Sequence, residues 1–199
     1  MENKSYHHND LKTELVRQGL KIIDSEGIEG LSLRKVAKAC GVSQTAPYRH
    51  FKNKDELVAE ILLQALDAFN ESLLAAVSKH PDSPRDQIKE MGIAYIHFFM
   101  ENPQYLRLLF LSDMQLTSSE TFCAASAHLS KSHPFDTFSS AVQRYKDSAP
   151  DETRDIHELL VYCWGLVHGV AVLASRKEIP AQYDVSALVS NIIWNERFL

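Results

Sequence analysis

Helix-breaking residues are scarce in this chain of 199 residues, which contains seven glycines and seven prolines. Because these residues mark most turns and helix ends, their scarcity favours long regular elements. Cysteine is scarcer still: Cys40, Cys123 and Cys163 have no CxxC spacing, which provides neither a disulfide framework nor a zinc signature. We therefore expect a reduced, cytoplasmic protein that holds no metal and no other cofactor.

Long apolar runs are also few. The first ten residues, MENKSYHHND, contain no apolar core, so we expect no secretory signal. The longest apolar run, 159–174, has 16 residues, fewer than the roughly 20 that span a bilayer. The sequence therefore predicts a soluble protein with no membrane partner.

Positive charge is in deficit overall, with 21 Lys and Arg against 26 Asp and Glu and a net charge of −5. The deficit is uneven along the chain. Residues 1–55 carry ten basic and seven acidic residues (+3), whereas residues 56–199 carry eleven and nineteen (−8). A basic segment on an acidic body is typical of a module that binds a polyanion, and a solvated charged face gives the same pattern.

Apolar residues recur with the helical period along almost the whole chain, and we find no strand-like alternation in the sequence. This periodicity predicts an all-α fold of about nine helices, including a long fourth helix over about 54–78. The stretch HPDSP at 80–84 is the clearest linker. It separates a domain predicted at 9–69 from a larger helical bundle predicted at 80–199. Residues 113–132 have the least defined pattern.

The stretch GVSQTAPYRHF, residues 41–51, predicts a turn between two short helices. Ser32 can cap the first helix, and Gly41 suits the left-handed position after its end. Ser43 can cap a third helix over about 44–50. If that helix begins one residue later, Pro47 costs nothing, because its missing N–H would be unpaired anyway. The pattern predicts a helix-turn-helix over 32–51, with a plain helical corner as the alternative.

Side chains suited to DNA are concentrated around the third helix, whose N-terminal residues would reach base edges in the major groove. Gln44 and Thr45 can hydrogen-bond bases, and Ala46 can contact a thymine methyl group. Further donors and positive charges follow, namely Tyr48, Arg49, His50, Lys52 and Lys54. The N-terminus of the fourth helix also offers backbone N–H groups to a phosphate.

The segment LSLRKVAKACGVSQTAPYRHFKNKDELV resembles the DNA-binding domain of the tetracycline-repressor (TetR) family. The positions that match the family pattern are Ser32, Leu33, Arg34, Val36, Ala37, Gly41, Val42, Ser43, Tyr48, His50, Phe51, Lys54 and Leu57. The resemblance covers residues 9–69. Carried over by position, it implies that Gln44, Thr45 and Ala46 face the bases. Tyr48 and His50 would contact the DNA backbone or a base edge. Phosphates would be held by Arg34, Ser43 and Lys54.

The run Trp164-Gly165-x-x-His168-Gly169 resembles the Trp…His-Gly signature of one C-terminal subgroup of the TetR family. Trp164 and His168 share a helix face, where His168 is either hydrogen-bonded in the core or in contact with a ligand. The resemblance implies that the last two helices of each subunit pair with those of a second copy. The 159–174 run supports this independently, because a helix in a monomer's outer layer is not apolar on nearly all sides. The predicted dimer residues are Leu160, Gly165, Gly169, Leu188 and Ile192.

A set of mostly aromatic residues could line an apolar effector cavity that contains a few polar groups, or could form part of the ordinary hydrophobic core. The set is Tyr95, Phe98, Phe99, Tyr105, Phe110, Met114, Trp164 and His168. The resemblance implies that a small effector bound here lowers DNA affinity. We therefore predict a transcriptional regulator, by the family's commoner mode a repressor, that binds a palindromic operator as a homodimer and is released by a small molecule.

Three alternatives differ in mechanism. An enzyme is disfavoured, because the sequence has no Gly-rich phosphate loop and no GxSxG, and His157-Glu158 lacks the second histidine of HExxH. A cysteine redox switch would keep DNA binding, but no cation is evident beside the thiols to stabilise a thiolate. Activation in place of repression stays open, as do the effector, the operator sequence and the number of dimers on each operator.

Overall fold

The computed structural model describes residues 6–111, 133–180 and 182–195, which form helices and connecting turns. Eight α-helices lie within these ranges: α1 Tyr6–Glu26, α2 Leu33–Ala39, α3 Lys54–Ser78, α4 Pro84–Glu101, α5 Pro103–Leu106, α6 Pro134–Ser148, α7 Ile156–Ser175 and α8 Val185–Ile193. Two 3-10 turns cover Ile28–Gly30 and Ala46–Arg49, and a π-helical turn covers Arg107–Leu111. The all-α prediction is confirmed. Residues 113–132, with Met114 and Cys123, lie outside the described ranges.

The described residues form two compact units. The first contains residues 6–65 and 107–111, and the second contains residues 66–106, 133–180 and 182–195. The division falls inside α3, at Ala65, and not at the linker-like composition of 80–84. Arg107 belongs to the first unit, where its guanidinium forms an ion pair with Asp24.

In the first unit, helix ends are fixed by local chemistry and the helices are held by an apolar core. The Ser32 hydroxyl accepts the backbone N–H of Lys35 at 3.2 Å, which confirms the predicted cap of α2. Gly19 brings α1 close to α3, because a Cβ there would lie 3.0 Å from Ile61 Cδ1. The buried apolar residues are Leu15, Val16, Ile22, Leu31, Leu33, Val36, Ala37, Phe51, Leu57, Val58, Ala59, Ile61, Leu62 and Ala65.

In the second unit, α4 is central and packs against α6, α7 and α8. Gly92 permits the closest approach: a Cβ there would lie 3.1 Å from Ile193 Cδ1 of α8 and 3.2 Å from Val167 Cγ1 of α7. The packing of α4 against α7 and against α8 therefore converges on a position that has no side chain. Most of the remaining inward face of α4 is apolar, namely Ile88, Met91, Tyr95, Ile96 and Phe99.

Polar side chains tie the predicted linker into the second unit. Gln87 is buried, and its Nε2 donates to the carbonyl of His80 at 2.8 Å. Arg144 of α6 donates to the Oε1 of the same glutamine at 2.9 Å. Elsewhere in this unit, the Thr137 hydroxyl donates to Asn70 Oδ1 at 2.7 Å. Because buried polar groups are costly unless paired, these bonds fix α3, α4 and α6 in register.

Two helices have the length and composition of a membrane span, α3 with a hydropathy of 1.2 and α7 with 1.5. The helix α7 has 20 residues and extends past both ends of the 16-residue apolar run 159–174. Core helices of water-soluble proteins meet the same criteria, so the two helices are weak evidence for a membrane.

Candidate functional site

The turn between α2 and the following 3-10 turn is a Schellman motif. The Val42 N–H donates to the Ala37 carbonyl at 3.0 Å, and the Gly41 N–H donates to the Lys38 carbonyl at 3.2 Å. Gly41 has φ +68, the left-handed conformation that glycine adopts without steric cost. The predicted role of Gly41 is confirmed, and the turn fixes the direction in which the chain leaves α2.

The recognition segment, residues 44–50, differs from the short α-helix that we predicted. Ala46–Arg49 is a 3-10 turn with Pro47 in its first two positions. Thr45 is the residue at its N-cap, and no side chain caps it. The Ser43 hydroxyl instead lies 3.2 Å from Thr45 Oγ1, so the predicted cap by Ser43 is wrong. The turn begins at Ala46, so Pro47 lies among the first residues of the turn. The missing N–H of Pro47 costs no hydrogen bond there, because the first donors of a helix have no partner inside it.

Buried residues hold the recognition segment while its neighbours face solvent. Pro47 and Phe51 are buried, and the 3-10 turn packs against α2. Tyr48 is 52% exposed. Of the other predicted DNA-binding residues, the exposed ones are Arg34, Ser43, Gln44, Thr45 and Arg49, and the half-buried ones are Ala46, His50 and Lys54. Most of the predicted set is thus accessible on one short stretch of chain.

One backbone donor at the N-terminus of α3 is already capped, and a carboxylate lies beside it. Asn53 Oδ1 accepts the Glu56 N–H at 2.9 Å, and the Glu56 carboxylate accepts the Lys52 N–H at 2.7 Å. The same carboxylate lies 3.5 Å from Lys52 Nζ. A carboxylate at this end of the helix competes with a phosphate for the positive dipole end. A phosphate contact at Lys54 would therefore depend on its ammonium group.

An aromatic cluster fills the space between α3, α4 and α5 in the second unit. Its members are Phe69, Tyr95, Phe98, Phe99 and Tyr105. Phe69 lies at its centre, with ring centroids 4.9 Å from Phe99, 5.2 Å from Phe98 and 5.3 Å from Tyr95. Tyr105 stacks on Phe98 at 6.0 Å. These separations are those of packed aromatic pairs, which contribute beyond the area that they bury.

Phe69 is not among the effector residues predicted from the sequence. Helical periodicity reports which side of a helix is inward, and it carries no information on which distant residue lies opposite. The cluster therefore contains four of the eight predicted effector residues and one that was not predicted.

A polar relay lies beside the aromatic cluster and joins α4 to α7. Trp164 Nε1 donates to the Tyr95 hydroxyl oxygen at 3.4 Å, and that hydroxyl lies 2.8 Å from His168 Nδ1. Because an indole N–H can only donate, the Tyr95 hydroxyl oxygen accepts from Trp164, whereas the direction of its bond with His168 depends on the histidine tautomer. Burial lowers the pKa of His168 and raises the pKa of Tyr95. Burial thus disfavours the charged form of both side chains.

Two of the predicted effector residues are not among the cluster and relay residues described above. Phe110 belongs to the first unit, and Met114 lies outside the described residues. A separate recess of ≈ 440 Å³ is lined by other residues of the second unit, namely Asp82, Ser83, Pro84, Arg85, Tyr145, Ser148 and Ala149.

The two described thiols are poorly suited to redox sensing. Burial raises the pKa of Cys163 to about 12, and burial likewise raises the pKa of Cys40. Since the thiolate is the reactive form, both side chains are poor nucleophiles at neutral pH. Cys123 lies outside the described residues.

One face of α7 is buried and the opposite face is exposed. The buried face is formed by Leu159, Cys163, Val167 and Ala171. The exposed face, which we call the glycine strip, is formed by Val161, Gly165, Gly169 and Leu173. Val161 is 72% exposed, Leu173 is 46% exposed, and a Cβ on either glycine would meet nothing within 4 Å. The predicted dimer residues Leu160, Leu188 and Ile192 are half-buried.

Two family profiles match the sequence. The profile described as bacterial regulatory proteins, tetR family, matches residues 15–61. The profile described as the tetracyclin repressor-like C-terminal domain matches residues 88–193. Among curated proteins, the class C tetracycline repressor protein of Escherichia coli is 39% identical over 79 residues, 39% of this chain and 32% of the repressor. The chain thus matches 32% of the length of that relative.

Solved structures share the fold over nearly the whole chain. A protein of unknown function from Rhodococcus sp. RHA1 has a TM-score of 0.77 and 22% identity, with 96% of this chain and 97% of that chain covered. A TetR family transcription regulator from Marinobacter aquaeolei VT8 has a TM-score of 0.73 and 14% identity, with 95% and 96% covered. Such identities establish the fold alone, whereas the C-terminal profile covers more than half of the chain. The chain therefore belongs to the TetR family of bacterial regulatory proteins.

Proposed function

We propose that this protein is a transcriptional regulator that binds a palindromic DNA operator as a homodimer, most simply as a repressor. The observation that carries the proposal is the recognition segment. A Schellman turn and a buried proline hold it, and its exposed residues include Gln44, Thr45, Tyr48 and Arg49. These side chains supply the donors, acceptors and methyl group that read base edges in the major groove. A palindromic site suits two identical subunits related by a two-fold axis.

Replacing Gln44 or Thr45 by Ala tests base reading directly. Each substitution is expected to relax discrimination at particular base pairs by about 1–3 kcal/mol, because a lost base contact no longer penalises the wrong base. Binding to operators with single base changes measures this loss. Gln64→Ala, at an exposed glutamine of α3, is the matched control and should leave discrimination unchanged. Equal weakening on operator and random DNA would remove Gln44 and Thr45 from the base-reading set.

Lys54 is proposed to contact a phosphate, which predicts a different signature. Lys54→Ala should weaken binding to all duplexes alike and reduce the slope of log K against log salt by about one per contact, or about two per dimer. Lys79→Ala is the control, because this lysine at the other end of α3 pairs with Glu90 at 2.8 Å. An unchanged salt slope for Lys54→Ala would contradict the assignment.

We propose further that an apolar small molecule binds among the helices of the second unit and releases DNA. The aromatic cluster and the polar relay of Tyr95, His168 and Trp164 support this, because they combine apolar side chains with a few polar groups, as ligand sites do. A ligand can change DNA affinity only by its differential affinity for two arrangements of the protein.

Reciprocity makes the effector proposal testable. An effector that weakens operator binding by about 5–150-fold must itself bind the operator complex more weakly by the same factor. Calorimetric titration of the effector into free and operator-bound protein measures both affinities. Equal affinity for the two forms would contradict effector release. Tyr95→Phe, which removes the central hydroxyl of the relay, tests whether the relay contacts the ligand.

A cytoplasmic location and the lack of catalytic activity complete the proposal. The family and the fold are those of transcription regulators and not of enzymes. TetR family regulators are soluble DNA-binding proteins, which is consistent with a cytoplasmic location. The apolar character of α3 and α7 is accounted for by packing and by the proposed subunit pairing.

A further inference from the structure

The recognition segment has the hydrogen bonds of a 3-10 helix, which puts its side chains in a different order from an α-helix. The Ala46 N–H donates to the Ser43 carbonyl at 3.0 Å, Tyr48 to Thr45 at 3.3 Å, and His50 to Pro47 at 2.9 Å. Each of these bonds spans three residues. Side chains three residues apart therefore lie above one another, since a 3-10 helix has about 3.0 residues per turn.

Pro47 disfavours an α-helix that begins at Gln44, with Ser43 at its N-cap. It has no N–H to complete an α-helical bond, and in an α-helix its ring would collide with the carbonyl four residues earlier, that of Ser43. The Ser43 carbonyl instead accepts from Ala46. Pro47 is also buried, so packing as well as covalent geometry holds it in place.

Three ridges follow from the three-residue period. The first ridge, Pro47 with His50, is buried or half-buried and faces the protein. The second, Thr45 with Tyr48, is exposed at both positions, and the third pairs half-buried Ala46 with exposed Arg49. Thr45 and Tyr48 lie three residues apart, about 6 Å along the axis at a rise of about 2.0 Å per residue. Successive bases of one DNA strand are about 3.4 Å apart, so this spacing matches two base steps.

We propose that Pro47 sets operator specificity, because it holds Thr45 and Tyr48 in one ridge that reads bases two steps apart. The inference rests on the proposed DNA binding. Both side chains combine a hydroxyl with apolar surface, so they can hydrogen-bond a base edge and contact a thymine methyl group. Pro47 itself is a positioning residue and touches no base.

Selection of bound duplexes from a library with randomised half-sites tests the proposal on the full-length protein. Wild type and Pro47→Ala are each put through the selection, with circular dichroism confirming that the variant is folded. We expect Pro47→Ala to select a different half-site, changed at the two positions assigned to Thr45 and Tyr48, while its affinity for random DNA stays within about twofold. Selection of the same half-site with uniformly weaker binding would overturn the proposal and leave Pro47 a merely structural residue.

A double-substitution cycle keeps the test decisive if Pro47→Ala does not fold. Thr45→Ala and Tyr48→Phe are made singly and together with Pro47 intact, and discrimination is measured at every position of the selected half-site. Loss of about tenfold at two positions separated by two steps supports one ridge. Losses at adjacent positions, or at none, overturn it. If wild type selects no sequence at all, the proposed DNA-reading function itself is wrong, which distinguishes that failure from the failure of this inference.

Discussion

Gly165→Glu is expected to convert a dimeric protein into a monomer and to weaken operator binding by about 10²–10⁴-fold, the avidity lost when two sites no longer act together. The physical reason is the glycine strip, where a second helix can approach closely and a carboxylate would be buried without a partner. Sedimentation at micromolar protein measures the mass, and titration of a labelled operator measures the affinity.

The folded subunit should tolerate this substitution. A Cβ at Gly165 meets nothing within 4 Å, and glutamate is a better helix former than glycine by up to about 1 kcal/mol. Ser140→Glu, which puts the same charge on an exposed position of α6, is the control and should stay dimeric. A Gly165→Glu protein that sediments with the mass of wild type would show that the glycine strip is not the subunit interface.

Phe99→Ala is expected to lower the free energy of unfolding by about 3–5 kcal/mol, because it removes a buried ring and leaves a cavity. Phe99 has no exposed surface, and its ring contacts those of Phe69, Tyr95 and Phe98 at centroid separations of 4.8–5.1 Å. Urea unfolding followed by circular dichroism measures the loss, at one protein concentration because subunit pairing adds to stability.

Phe135→Ala is the matched control for this prediction. The Phe135 side chain is 46% exposed, so its removal takes less apolar surface from the folded state and leaves no enclosed cavity. We expect a loss of less than about 1.5 kcal/mol. Comparable losses for the two phenylalanines would mean that the aromatic cluster relaxes around the cavity and does not act as a rigid core.

Features set by local chemistry could be predicted from the sequence. The cap by Ser32, the left-handed Gly41 and the start and end of α3 were each predicted and are observed. Each depends on residues within a few positions, such as a hydroxyl that accepts a nearby N–H. Most of the proposed DNA-binding residues lie on or beside this turn and are exposed.

Two kinds of feature could not be predicted: those that depend on the exact residue at which a helix starts, and those that depend on packing between residues far apart in the sequence. The choice between an α-helical and a 3-10 recognition segment depended on whether Ser43 or Thr45 stands at its start, and both are acceptable caps. The aromatic cluster joins Phe69 to residues some thirty positions later, and the pair of Arg107 with Asp24 spans 83 positions. No periodic pattern encodes such pairs, because periodicity describes one helix at a time.

Gly92 acts as a spacer by virtue of the side chain it lacks. Ile193 and Val167 are buried with 0% and 6% exposure, and the ends of their side chains occupy the volume that a Cβ at position 92 would need. A methyl group there would require Ile193 Cδ1 and Val167 Cγ1 to give way by a few tenths of an ångström. These side chains belong to α8 and α7, the two helices that carry the predicted subunit interface. The packing of the proposed interface helices against α4 is therefore sensitive to an interior position that has no side chain of its own.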